Sequence, residues 1–192
     1  MMNTFAALVL SALLLGSASA ASAAPPNAYL VVPGHRIGHT LLGSDGQYTL
    51  AALPKPTRSD AGMSQEYFVW TSHAAHGQPH TLYIHATHNG ATNVKPLSGL
   101  TIDTIRVTSP AFATQNGLHV GSTFAKIRHR FPHLRSVNSA HTLYDDKSRG
   151  IAFEFARRPH ASSRAIAVTV HMPGQAATAT AYQVRETLKM AR

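Results

Sequence analysis

Leu42-Gly43-Ser44 and Val120-Gly121-Ser122 open two stretches that close on Leu53-Pro54 and Phe131-Pro132. Gly43 and Gly121, Ser44 and Ser122, and Pro54 and Pro132 are each 78 positions apart. An apolar-Gly-Ser start and an apolar-Pro stop recurring at one offset are most simply read as two copies of one structural unit. Each copy opens on a helix. Ser44 stands as N-cap with Gln47 at the capping-box spacing, which gives a helix from about Asp45 to Leu53, ended by Pro54 and Pro56. In the second copy Ser122 or Thr123 is the cap, and Phe124, Ile127 and Phe131 fall at i, i+3 and i+7 on one stripe. Lys126, Arg128, His129 and Arg130 lie mostly off that stripe.

Outside the helices the pattern is that of strands. Tyr29-Leu30-Val31-Val32 is a short first strand stopped by Pro33-Gly34, and residues 58–64 read as a polar turn. Tyr67-Phe68-Val69-Trp70 is aromatic and β-branched, and residues 81–86 set Leu82, Ile84 and Ala86 against Thr81, Tyr83 and His85. The strand over residues 100–108 slips its alternation between Ile102 and Ile105, where a bulge restores it. After the second helix, residues 141–144 are extended and residues 145–148 make a turn. Ile151, Phe153 and Phe155 then share a face, and Ile166, Val168 and Val170 alternate with Ala165, Ala167, Thr169 and His171. The expected fold class is α+β, with two pseudo-repeats, 34–109 and 110–174, of a short helix followed by a three-stranded antiparallel meander. The helices are expected on one face of the sheet. Residues 24–33 read as a linker with a possible short strand, and residues 175–192 as a tail or short helix.

The N-terminus carries a secretory pattern. An apolar run from Phe5 to Leu15 precedes Ala18-Ser19-Ala20 and Ala21-Ser22-Ala23 as cleavage sites, so residues 1–23 are expected to be a signal peptide. The run is too short to span a bilayer. The expected location is the periplasm or the medium. The chain has no Cys, which excludes disulfides, thiolate metal sites, a Cys nucleophile and a lipid on a mature Cys. Charge is lopsided: four Lys or Arg against three Asp or Glu through Pro96, thirteen against five from Leu97 onward. A cytosolic protein with such a half would suggest nucleic acid. Export redirects the expectation to another protein or an anionic envelope component, with no nucleic acid.

The order of elements, with motifs such as Val120-Gly121-Ser122-Thr123, resembles the small outer-membrane assembly lipoproteins of the BamE type. Two such units in one exported chain resemble the β-lactamase inhibitor proteins. The resemblance covers residues 34–171 and implies a sheet with helices on one face and an open face that, in the inhibitors, grips a partner protein. The missing Cys departs from both families, and no functional residue is carried over.

Few residue clusters carry possible chemistry. Five of the thirteen His lie at His73, His76, His80, His85 and His88, where neutral imidazoles could hold Zn, Cu or Ni. The spacing matches no familiar site, and no Asp or Glu lies between residues 67 and 102. A metal-binding protein centred on His73 to His88 is the alternative reading, with His73, His76 and His80 as its metal candidates. Ser122 lies near His119 and His129, but no Gly-x-Ser-x-Gly elbow is present and a helix cap explains it. Tyr144-Asp145-Asp146 suggests a hairpin turn more than paired carboxylates. No enzyme and no cofactor is expected. The leading reading is a non-enzymatic binding module that uses the sheet face away from the helices, carrying Tyr83, His85, Glu154, Thr169 and His171. The basic outer face formed by Lys126, Arg128 and Arg130 is a second candidate surface.

Overall fold

A computed structural model describes residues 27–62, 64–72, 79–88 and 99–177. The expected signal peptide, His73, His76 and the tail beyond residue 177 lie outside the described residues.

In chain order the elements are β1 (Leu30–Val32), β2 (Arg36–Ile37), β3 (Thr40–Leu41), α1 (Gly46–Ala51), β4 (Arg58–Gly62), β5 (Gln65–Ser72), β6 (His80–His88) and β7 (Leu100–Val107). They continue with β8 (Ala113–Thr114), α2 (Phe124–Arg130), β9 (Arg135–Ser136), β10 (Leu143–Asp146), β11 (Ile151–Phe155) and β12 (Ala165–His171). Eight strands form one sheet in the order β4-β5-β6-β7-β12-β11-β10-β9, and the other four form a small sheet in the order β3-β2-β1-β8. All neighbours in the larger sheet are antiparallel.

This corrects the expected fold class. The protein is mostly β and does not repeat a helix-plus-meander unit: the helices are six and seven residues long, too short to form a layer, and each is followed by four strands of the larger sheet. The extra strand of the first half is β4, which was expected to be a turn. It is a largely exposed edge strand whose residues need no apolar alternation, because its pairing with β5 supplies its order. The turn expected at residues 145–148 starts later, since Asp145 and Asp146 pair within β10.

Both helices pack against one core cluster. Phe124 of the α2 stripe meets Phe155 edge to face and Phe131 meets Phe153 at a tilt, with ring centroids 5.3 and 5.6 Å apart, and Ile127 between them is fully buried. Burying each such side chain is worth about 1.5–3 kcal/mol. The α1 helix lies so close to β7 that a Cβ on Gly46 would meet Leu100 Cβ at 2.7 Å. That contact explains a glycine in the first turn of a helix it otherwise weakens. The cap of α1 falls one residue after the expected Ser44, at Asp45, whereas that of α2 is Thr123, one of the two expected residues. Asp45 Oδ1 accepts from Gln47 N at 2.7 Å, and Thr123 Oγ1 accepts from Lys126 N at 3.4 Å.

The bulge expected between Ile102 and Ile105 is present. His85 pairs with Thr104 and Ala86 with Ile102, so Asp103 is the extra residue and both isoleucines stay in the core. A second irregularity lies between Glu154 and Phe155, where Ala165 and Ala167 pair but Ile166 does not, which turns Ile166 out to 38% exposure. The expected placement of Ile166 with Val168 and Val170 fails for that reason. The two sheets meet where Gly34 N donates to Gly150 O at 3.1 Å.

Candidate functional site

Strand parity places Tyr83, His85, Glu154, Thr169 and His171 on the sheet face away from the helices, but that face is not open. Tyr83, Thr169 and His171 are each 1% exposed and Glu154 6%, while His85 is half-buried. The face holds a layer of paired charges. Arg106 donates through Nη2 and Nε to Glu154 Oε2 at 2.6 and 3.2 Å. His171 Nε2 lies 2.8 Å from Asp145 Oδ1, and its Nδ1 lies 3.1 Å from Met172 O. Asp145 Oδ2 accepts from Ala177 N at 3.0 Å, which ties the segment after β12 across the sheet. Buried charges persist when paired and hydrogen-bonded, and these are. These residues hold the fold together rather than facing outward.

Burial pushes the Tyr83 phenol well above its ordinary range, with smaller upward contributions from Tyr67 and Asp103 and a downward one from Arg106. A raised phenol pKa means the folded state keeps a proton that the unfolded chain loses above about pH 10. The neutral phenol's contribution is thus fully present below pH 10 and lost as pH rises above it. Stability in urea should fall by up to about 1.4 kcal/mol per pH unit there from this group. Tyr83→Phe should remove that part of the slope; an unchanged slope in the variant would show that the ring is not enclosed.

Of the expected His cluster only His80, His85 and His88 are among the described residues, and these three lie apart. His85 Nδ1 lies 2.6 Å from Asp103 Oδ1, and His88 Nε2 lies 3.1 Å from Glu66 Oε1. His80 starts the same strand, eight residues from His88 and so roughly 26 Å away along an extended chain. It lines an open, largely apolar groove with Tyr29, Trp70 and Phe112. Among the described residues no group of three or more His, Asp or Glu is arranged to hold a metal. Ser122 Oγ accepts from His119 N at 3.0 Å, which occupies it in a turn. Asp145 and Asp146 diverge: Asp146 Oδ1 accepts from Ser148 Oγ at 2.6 Å, and its Oδ2 is buried with no hydrogen bond.

The open surface of the second half is basic. Lys126, Arg128 and Arg130 are exposed on α2, and so are Arg135, Lys147, Arg149, Arg157, Arg158 and Arg164. The four acidic residues between 99 and 177 are Asp103, Asp145, Asp146 and Glu154, and none is exposed. The cations form a band around α2. Phe124 N donates to Ser163 O at 2.8 Å and Ala125 N to Ala161 O at 3.0 Å, which brings the β11–β12 loop with Arg157, Arg158 and Arg164 against the start of α2. At its other end the Arg149 guanidinium lies 5.5 Å from the Phe131 ring centroid. The Arg128 guanidinium lies 5.7 Å from the Phe124 ring, so it is partly pre-ordered.

No family model matches the chain, and no curated protein matches it. Among solved structures it is similar to the uncharacterized protein yfeY from Escherichia coli, at 14% identity and a TM-score of 0.36, covering 74% of this chain and 97% of that one. That likeness is too distant to assign a function. The site therefore rests on its own chemistry. Sequence reasoning found the α2 cations from their position off the apolar stripe. It missed the contribution of Arg157, Arg158 and Arg164, although the run of loop cations was visible; the contact of that loop with α2 is a tertiary fact. Among the described residues no exposed carboxylate of the second half accompanies them, so these cations form a field of one sign, which attracts anions over roughly a Debye length, about 8 Å at physiological salt.

Proposed function

We propose that this protein is an exported, non-enzymatic binding module of the envelope or medium, and that its working surface is the basic band around α2. The observation that supports this reading is the asymmetry of ionised side chains. Over residues 99–177 every carboxylate is drawn inward while the cations of α2, the β10–β11 turn and the β11–β12 loop stay outside. A surface made only for solubility mixes both signs. The partner this chemistry fits is an anionic envelope component, phospholipid headgroups above all. Burial of the expected sheet face moves the expected binding role to the helix side. No helix among the described residues is long and apolar enough to cross a membrane.

Sedimentation of the purified protein with vesicles tests the reading. Binding to vesicles rich in anionic phospholipid should be strong at low salt, fall steeply with added salt, and be weak on phosphatidylcholine alone. Changing Lys126, Arg128 and Arg130 together to Gln should lower partitioning by roughly 10²-fold, at about 1 kcal/mol per cation. These side chains are exposed, so stability should hold. Equal binding by the triple variant, or equal binding to neutral vesicles, would remove the basis of the proposal.

A further inference from the structure

A hollow of the basic band lies in the β11–β12 loop. The β11–β12 loop encloses an open space of about 280 Å³ lined by Arg157, His160, Ser162, Ser163 and Arg164, with Phe155 at its base and no carboxylate on its wall. The loop is pinned at several points. Ser163 O and Ala161 O accept from the first amides of α2, and Gly121 N donates to Ala165 O at 2.8 Å while Ala165 N donates to Ser122 O at 3.0 Å. Arg164 Nη1 donates to Gly121 O at 2.8 Å, which fixes that guanidinium. His160 N donates to Ser163 Oγ at 3.0 Å, and His160 Nδ1 lies 3.0 Å from Ser162 Oγ. Two Arg, a His and two Ser thus line one small space on a backbone held by these hydrogen bonds. The pinned backbone has little conformational entropy left to lose when an anion enters.

We infer that this hollow is a subsite for a phosphoryl group. The inference rests on the proposed function, since it names the group that the basic band would meet. A flat carboxylate is satisfied by a single guanidinium fork, whereas a tetrahedral phosphoryl group presents three strong acceptor oxygens in different directions. A hollow lined by two Arg, a His and two Ser carries enough donor-bearing side chains for the second. Its volume falls just short of the range of about 300–1,000 Å³ for pockets that enclose drug-sized ligands, so it takes a headgroup and not a whole cofactor. Free phosphate esters and the headgroups of phospholipids share this chemistry.

The test is a titration of the protein with inorganic phosphate and with glycerol 3-phosphate, followed by amide chemical shifts at constant ionic strength. Arg157→Gln removes an exposed cation from the hollow, and Arg128→Gln removes one from the helix outside it. Saturable shifts over residues 156–164, with affinity lowered on the order of tenfold by Arg157→Gln and held by Arg128→Gln, are the expected result. Unsaturable shifts, or equal losses in both variants, would show diffuse attraction and overturn the subsite. The same proteins are then sedimented with vesicles containing phosphatidate. Displacement by glycerol 3-phosphate supports a subsite for lipid headgroups; saturation of the hollow without displacement supports one for soluble esters. Saturable phosphate binding with no vesicle binding would sink the proposed membrane-surface role alone. Salt-sensitive vesicle binding with no saturable phosphate binding would sink the hollow alone.

Discussion

Gly150→Ala is expected to cost about 4–5 kcal/mol or more, enough to unfold a domain of ordinary stability. Gly150 follows the β10–β11 turn with φ at +67°, and a Cβ there would collide with His171 O and meet Gly34 Cα at 2.8 Å and Pro173 N at 3.2 Å. All three neighbours are backbone atoms, so no side chain can swing aside. Left-handed backbone costs an L-residue about 1–2 kcal/mol by itself. The larger penalty comes from separating chains that Gly150 joins, since its carbonyl accepts from both Gly34 N and His171 N at 3.1 Å. Gly174→Ala is the matched control: its φ is +84° and nothing lies within 4 Å of the new Cβ. It should show the backbone cost alone. Chemical denaturation of the two variants measures the difference, and near-equal losses would mean that the seam between the sheets is looser than described.

Removing one partner of the Arg106–Glu154 pair is the second large effect. The two side chains are 3% and 8% exposed. Glu154→Ala leaves the Arg106 guanidinium buried without its carboxylate, for a loss of about 3–5 kcal/mol. The double variant Arg106→Met with Glu154→Leu removes both charges and should lose much less, because a buried pair replaced by apolar groups is often near neutral. A double-mutant cycle in urea isolates the coupling. A loss under 1 kcal/mol in Glu154→Ala would mean that water reaches this face, and the sheet side would regain its claim as a binding surface.

Much of the strand pattern was legible because the central strands are long and their apolar residues obey a two-residue period. The slip between Ile102 and Ile105 even located the bulge at Asp103. The two-residue strands β2, β3, β8 and β9 carry too few side chains to show any period, and the edge strand β4 has no apolar face. The first cap shifted by one because the adjacent Asp45 is also chemically competent, and Ser44 instead bonds Leu41 O and Thr49 Oγ1 at 2.7 Å. Parity correctly grouped Tyr83, Glu154, Thr169 and His171, yet parity reports which residues share a face and not whether it is covered. The missed signal was complementary charge within strands: Arg106, Asp145, Glu154 and His171 form the inward pairs that a closed polar layer needs. For the basic surface, net charge pointed to the second half. The inward placement of its carboxylates, which makes the surface one-signed, depends on tertiary pairing.

Hydrogen exchange of the protein with and without anionic phospholipid vesicles tests most directly which surface meets a partner. Protection at amides of residues 124–130 and 156–164, with β6 and β12 unchanged, is the expected result. Protection centred on β6 and β12 around Tyr83 and Thr169, with α2 unaffected, would contradict it.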